Sequence, residues 1–178
     1  LTGEGSEIAA LRELIRSVPD FPRPGVVFRD ATPLFADPVA LRGAVELLAA
    51  RLAGEGPVDV VFGAEARGFI LGPALAMRLG AGFVPARRAG KLPAATERAA
   101  YELEYGAAEL HVHTDAIVPG ARVVIHDDLI ATGGTAAALG EIVESLGGEV
   151  VAYGFLIELT ELAGRDRLGL PTHSLIDF

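Results

Sequence analysis

Three features of the sequence predict an α/β domain built on a central, mainly parallel sheet flanked by helices. Short β-branched runs alternate with apolar patterns of helical spacing. Glycine- or proline-containing turns punctuate the changes, and no repeat, low-complexity tract or polar linker divides the 178 residues, which read as one domain, 1–178. Ile8, Leu11, Leu14 and Ile15 recur at helical spacing behind Ser6, a capping residue, and Pro19 closes that helix. Leu41, Val45, Leu48 and Leu52 repeat the pattern after Asp37-Pro38, with Gly54 and Gly56 as the stop. Val58–Phe62 reads as a buried strand ending at Gly63, Phe69–Leu79 as a helix, and Phe83-Val84-Pro85 as the next strand. Arg87–Ala100 has neither period and carries glycine, proline and charge, which predicts a long exposed loop of the kind that serves as a lid. Tyr101–Tyr105 and Leu110–Val112 then form a hairpin around Gly106. Arg122–His126 is a buried strand, Thr135–Leu146 a helix ended by Gly147-Gly148, and Val150–Leu159 the last strand.

Composition narrows the class. Fifteen basic against 24 acidic residues give a net charge of −9, and 51% of the chain is apolar against 22% charged, as in a soluble globular protein. There is no cysteine, so disulfides, thiolate metal sites and thiol catalysis are excluded. The acidic balance disfavours nucleic acid as a partner. The longest apolar stretches, such as Phe69–Met77, fall well short of the ~20 residues that cross a bilayer. The polar, acidic start at Leu1 suggests a trimmed end without a secretory signal. A cytoplasmic enzyme or small-molecule sensor is expected.

The most informative stretch runs from Val123 through His126-Asp127-Asp128-Leu129-Ile130-Ala131-Thr132-Gly133-Gly134-Thr135 into a helix. A buried strand delivers two carboxylates, then a small-residue loop, then a helix N-terminus, at the strand end where ligands of open α/β sheets sit. Gly133 and Gly134 let backbone N–H groups converge on an anion, the helix end adds partial positive charge, and Thr132 and Thr135 offer hydroxyls. Neither Gly-x-x-x-x-Gly-Lys-Ser/Thr nor Gly-x-Gly-x-x-Gly is present. Two adjacent aspartates would repel a bare anion. A ligand with a phosphate beside a polyol resolves the conflict: Asp127 and Asp128 accept hydrogen bonds from vicinal ribose hydroxyls while the loop holds the 5′-phosphate. The plain alternative is an acidic strand–helix turn with capping threonines.

This stretch resembles the 5-phosphoribosyl 1-diphosphate (PRPP) signature of the type I phosphoribosyltransferase family. Phe28-Arg29-Asp30, Glu65-Ala66-Arg67-Gly68-Phe69, Gly90-Lys91-Leu92-Pro93 and Leu103-Glu104-Tyr105-Gly106 extend the resemblance, in order, to its adenine-specific branch, over most of the chain. The resemblance implies an N-terminal hood at about 1–35, a flexible lid hairpin at about 87–113, and a homodimer. The reaction it implies joins adenine and PRPP to give AMP and diphosphate in purine salvage, with Mg2+ carried on PRPP. A transferase for another nucleobase, or a PRPP-sensing regulator of the same fold, is the alternative.

By the same resemblance, Asp127, Asp128 and Ala131–Thr135 hold the ribose and 5′-phosphate. Glu65, Ala66, Arg67, Arg87 and Lys91 hold the diphosphate, with a cis peptide at Glu65–Ala66 and Arg87 reaching the neighbouring subunit's site. Lys91 is the sole lysine. Backbone groups of Val27 and Arg29 read the base, which lies between Phe28 and Leu129. A carboxyl near the purine N7 shares a proton there. Glu102 and Glu104 lie on one strand face, so spacing does not choose between them; the resemblance chooses Glu104, with Tyr105 closing the site and Arg67 assisting catalysis. Ala131 stands where hypoxanthine–guanine relatives carry an aspartate, and the glutamates of the lid would repel an anionic base such as orotate. DNA-binding relatives add a module for which no residues precede Ile8. No metal is bound directly by protein: His111 and His113 share a strand face without a third ligand, Asp127 and Asp128 are outer-sphere partners of magnesium, and His126 reads as a packed residue behind the pair.

Overall fold

The computed structural model describes residues 3–102 and 107–178. The backbone falls into two compact units, Leu1–Leu47 and Leu48–Phe178. The first contains α1 (Gly3–Glu13), a two-stranded antiparallel ribbon of β1 (Arg16–Pro19) and β2 (Val27–Asp30), and α2 (Thr32–Ala36). The first helix stops at Glu13 rather than Pro19, because residues 16–19 are taken into pairing with β2: Arg16 sits opposite Asp30, with an ion pair at 2.5 Å, and Val18 opposite Phe28. Ser6 lies inside α1, not ahead of it, and its hydroxyl donates to the Gly3 carbonyl. Asp30 caps the next segment. Hydrogen bonds from the Thr32 hydroxyl and N–H, with Arg16 beside it, hold its carboxyl at about 2. α3 (Pro38–Leu52) begins where the sequence places it, with Asp37 Oδ1 accepting the N–H groups of Val39 and Ala40.

The second unit is built on seven strands: β3 (Val60–Ala64), β4 (Gly82–Arg88), β5 (Thr96–Glu102), β6 (Ala107–His113), β7 (Arg122–Ile130), β8 (Glu149–Glu158) and β9 (Thr172–Asp177). Their order is β5-β6-β4-β3-β7-β8-β9; the five strands from β4 to β9 run parallel and the β5–β6 hairpin is antiparallel. α4 (Gly68–Leu79) follows β3 and α5 (Gly134–Ser145) follows β7. Phe62, Ile125, Leu139, Ile142 and Phe155, each at most 1% exposed, form the centre of the core. The Phe83 ring packs against two glycines: a Cβ on Gly63 or Gly72 would stand 2.7 or 2.5 Å from it, so neither position has room for a side chain.

Three expectations need correction. Half of Arg87–Ala100 is strand: Arg87 and Arg88 finish β4 opposite His111 and Leu110, and Thr96 opens β5 opposite His113. The charged outward residues of an edge strand hid its alternation, in which Ala99 is buried and Arg98 and Ala100 are exposed. β7 does not end at His126 but continues through both aspartates to Ile130, because β8 supplies partners as far as Glu158. The last strand is β9, not β8.

β3 is where the sheet changes direction, with β4 added on one side and β7 on the other. The crevice beyond the carboxyl ends of β3 and β7 is therefore the place for a ligand.

Candidate active site

A cavity of about 160 Å³ opens at that crevice, lined by Ala64 and Arg67 after β3, by Asp127, Leu129 and Ile130 of β7, and by the whole turn Ala131–Thr135. At roughly 30 Å³ per water it has space for about five waters, enough for a phosphate and part of a sugar. Gly133 caps α5 with φ 77, a conformation that places the first N–H groups of the helix around the cavity mouth. No side chain caps that helix end by a hydrogen bond.

The two aspartates are neighbours near the end of β7, and their carboxyls act on each other. Asp127 lines the cavity, whereas Asp128 is buried (2% exposed) with Oδ2 3.3 Å from the Arg67 guanidinium. Burial pushes both carboxyl pKa values up; the Asp128 charge adds to the rise at Asp127, and Arg67 opposes the rise at Asp128. Both shifts favour the neutral form of the carboxyls beside the turn Ala131–Thr135. Asp127 Oδ1 accepts the Asp128 N–H at 2.9 Å, while Asp128 Oδ1 is buried without a hydrogen-bond partner.

The loop Glu65-Ala66-Arg67 joins β3 to α4, and its Glu65–Ala66 peptide is cis, as the resemblance implied. Gly68 is needed for space: a Cβ there would lie 2.9 Å from the His126 carbonyl oxygen and 3.3 Å from Asp127 Oδ1. Glu65 reaches across to the end of β4, accepting the Arg87 guanidinium at 3.0 Å and the Arg88 N–H at 2.8 Å, and these contacts lower its pKa despite partial burial. Arg87 also lies over the Phe69 ring, 5.9 Å from its centre. Within this chain, then, Glu65 orients Arg87. Lys91 is exposed in the turn between β4 and β5.

Glu104 and Tyr105 lie outside the described residues. Val27, Phe28 and Arg29 form β2 in the N-terminal unit, with Val27 exposed, Phe28 edge-on to Phe21 at 5.3 Å, and Arg29 donating to the Ser17 hydroxyl at 2.5 Å. Leu129 is half-buried in the cavity wall. His126 is fully buried, paired with Gly63 and Gly154 in the neighbouring strands. Its Nδ1 stands 2.8 Å from the Gly154 carbonyl oxygen; a carbonyl only accepts, so Nδ1 carries the proton. Burial lowers its pKa to about 4.

A family model of the phosphoribosyl transferase domain matches residues 34–168. The chain belongs to the phosphoribosyltransferase family. An adenine phosphoribosyltransferase of Sorangium cellulosum is 55% identical over 174 residues, covering 94% of this phosphoribosyltransferase and 86% of the relative. One from a Synechococcus strain is 56% identical over 165 residues, covering 92% and 94%. Among solved structures, the adenine phosphoribosyltransferase of Rhodothermus marinus matches with a TM-score of 0.91 at 50% identity, covering 98% of this chain and 99% of that one. The Saccharomyces cerevisiae enzyme, crystallised with an imino-altritol bisphosphate and adenine, matches at 0.92 and 41%, covering 96% and 99%.

The donor set of this phosphoribosyltransferase fits a divalent ion that arrives with its ligand. Asp128 Oδ1 is a buried acceptor without a partner, yet among the described residues no three His, Asp or Glu side chains converge as a resident metal site would need. Among the same residues no helix is long and apolar enough to cross a membrane.

Proposed function

We infer that this phosphoribosyltransferase transfers the 5-phosphoribosyl group of PRPP to adenine, releasing AMP and diphosphate. The observation that carries the reading is the anion turn Ala131–Thr135 opening on the same cavity as Asp127 and Arg67, in a chain half identical to adenine phosphoribosyltransferases. A sugar with phosphates at both ends suits that arrangement. The turn takes the 5′-phosphate through backbone N–H groups and the Thr132 and Thr135 hydroxyls. Asp127, and Asp128 behind it, accept from the ribose hydroxyls. Arg67, with the Glu65–Ala66 peptide, Arg87 and Lys91, meets the diphosphate.

The base lies between Phe28 and Leu129, read by backbone groups of Val27 and Arg29. N9 attacks the anomeric carbon as its bond to diphosphate breaks. Glu104 takes the proton the ring releases at N7, and Tyr105 closes over the site; such acid–base help is worth about 100- to 10,000-fold. Magnesium carried on PRPP would supply positive charge against the leaving diphosphate, and Asp127 and Asp128 would hold its waters. The hairpin at about 87–113 acts as the lid that keeps water from the cationic anomeric carbon, and the hood is the N-terminal segment at about 1–35. A homodimer belongs to the same reading, with Arg87 serving the neighbouring site. So does a cytoplasmic location, because a substrate as highly charged as PRPP does not cross a membrane unaided.

A panel of nucleobases with PRPP and magnesium, followed by diphosphate release, tests the assignment. Release with adenine and not with hypoxanthine, guanine or orotate is expected. Turnover of another base in preference to adenine, or PRPP binding without turnover of any base, overturns it.

A further inference from the structure

Behind the phosphate turn, the chain passes from β8 through two short 3-10 turns, Thr160–Leu162 and Gly164–Arg167, before β9. We propose that this segment is the template for the turn: Gly164 sets its anion-binding geometry by direct backbone contact, and the Arg165–Glu158 pair holds Gly164 in place. Both are positioning residues for PRPP. The inference rests on the reading that Ala131–Thr135 takes the 5′-phosphate.

Gly164 is buried, and its φ does not lie in the left-handed region, so glycine is not required there for backbone freedom. It is required for space. A Cβ on Gly164 would stand 2.2 Å from the Ala131 carbonyl oxygen and 2.8 Å from the Gly133 nitrogen. Reciprocally, a Cβ on Gly133 would stand 2.5 Å from the Gly164 carbonyl oxygen. Two backbones therefore touch with no side chain between them, and one of them is the phosphate turn. An ordinary carbon–oxygen contact is about 3.3 Å, so a methyl on Gly164 displaces the turn by about 1 Å. A misplacement of that size is enough to cost on the order of 100-fold where hydrogen bonds must converge on one group.

The segment is fixed from both ends. Leu159 N–H donates to the Ile130 carbonyl at 2.9 Å, tying the segment's start to the last residue of β7. Arg165 then grips Glu158 with both edges of its fork, Nε to Oε1 at 3.0 Å and an Nη to Oε2 at 2.5 Å, and also reaches the Thr172 carbonyl and the Ser174 hydroxyl. The Ser174 hydroxyl donates to the same Glu158 oxygen at 2.5 Å. Glu158 is buried at the end of β8, so this planar, bidentate clamp anchors the residue next to Gly164 to the sheet itself. A lysine at 165 keeps the charge and loses the fork.

The experiment compares wild type, Gly164→Ala, Arg165→Lys and Thr135→Val. Steady-state kinetics report kcat and the KM for PRPP and for adenine; calorimetry reports Kd for AMP and for diphosphate alone; thermal melts report folding. Gly164→Ala is expected to raise the PRPP KM and the AMP Kd by about 10- to 100-fold, with adenine KM and diphosphate Kd within twofold. Arg165→Lys is expected to move the same two quantities by several-fold, and it decides the matter should Gly164→Ala not fold. An AMP Kd within twofold of wild type in the folded variants overturns the proposal, as does equal weakening of AMP and diphosphate. Thr135→Val separates the two levels. If it weakens AMP while Gly164→Ala does not, the template fails alone; if Thr135→Val leaves AMP untouched, the reading of the turn fails and takes the template with it.

Discussion

Replacing His126 by leucine is expected to remove about 2 kcal/mol of acid sensitivity between pH 7.5 and pH 5. The imidazole is fully buried, donates from Nδ1 to Gly154, and has Nε2 buried without a partner, so a second proton would add an unsatisfied buried donor. Its pKa accordingly falls from 6.5 to about 4. Above pH 6.5 the ring is neutral in both the folded and unfolded chains. As pH falls through 6.5 the unfolded chain takes up a proton that the folded chain refuses, so stability declines until about pH 4 and is level below it. At 1.36 kcal/mol per pH unit the interval from 6.5 to 4 sets a ceiling of about 3.4 kcal/mol. At pH 5 the loss is RT ln[(1 + 10^1.5)/(1 + 10^−1)], about 2 kcal/mol. Asp127 acts in the opposite sense, because its raised pKa makes the folded state bind the extra proton. It projects from the other side of β7 and is present in both proteins, so it cancels in the comparison. Urea unfolding of wild type and His126→Leu at pH 7.5, 6 and 5 gives the two curves. The variant loses the Gly154 hydrogen bond at every pH, which offsets its curve without tilting it. Curves that stay parallel to within about 0.5 kcal/mol would refute a buried neutral imidazole.

Three further outcomes are expected. Glu104→Gln should lower kcat by about 100-fold or more while leaving the PRPP KM nearly unchanged; a large rise in KM with normal kcat would remove Glu104 from the proton transfer. Arg87→Ala and Glu104→Gln chains, each inactive alone, should regain about a quarter of wild-type activity when mixed in equal amounts, since half the dimers are mixed and each holds one intact site; no recovery would place Arg87 in its own subunit's chemistry. Gly68→Ala should destabilise the fold by about 1–3 kcal/mol, because the new methyl meets the His126 carbonyl at 2.9 Å, and an unchanged urea midpoint would show that α4 shifts freely.

The order of helices and strands was legible because each element carries its own signal. Asp37-Pro38 announces α3 and its carboxylate caps it; Gly147-Gly148 ends α5. What misled were elements defined by a partner. Arg16–Pro19 is too short and polar to declare itself, and becomes a strand only because Asp30 and Phe28 lie opposite. The true end of β7 depends on how far β8 extends, which put Asp127 and Asp128 in a turn when they are in a strand. The turn, Arg67 and Asp127, which line one cavity, were grouped from the sequence because a glycine-rich helix start, a cation and a carboxylate each announce their chemistry, whereas the Glu65–Ala66 peptide was expected only from the resemblance. Gly164 and Arg165 carried no such signal. Their importance lies in a contact between backbones more than 30 residues apart, and a glycine chosen for space is indistinguishable in sequence from one that ends a turn.

The acidity of the chain looked incompatible with a ligand bearing two anionic ends, and the structure removes the conflict locally rather than globally. A net charge of −9 acts through screened water, over distances beyond a Debye length of about 8 Å. Inside the crevice the near groups decide. Of the two carboxyls, Asp128 is buried and met by Arg67 at 3.3 Å, and Asp127 is pushed toward its neutral form by burial and by that neighbour. Glu65, the third acid, is spent on orienting Arg87 and the Arg88 N–H. What faces the cavity is then a helix end, two threonine hydroxyls and a guanidinium, all of them donors, beside one carboxyl suited to hydroxyls.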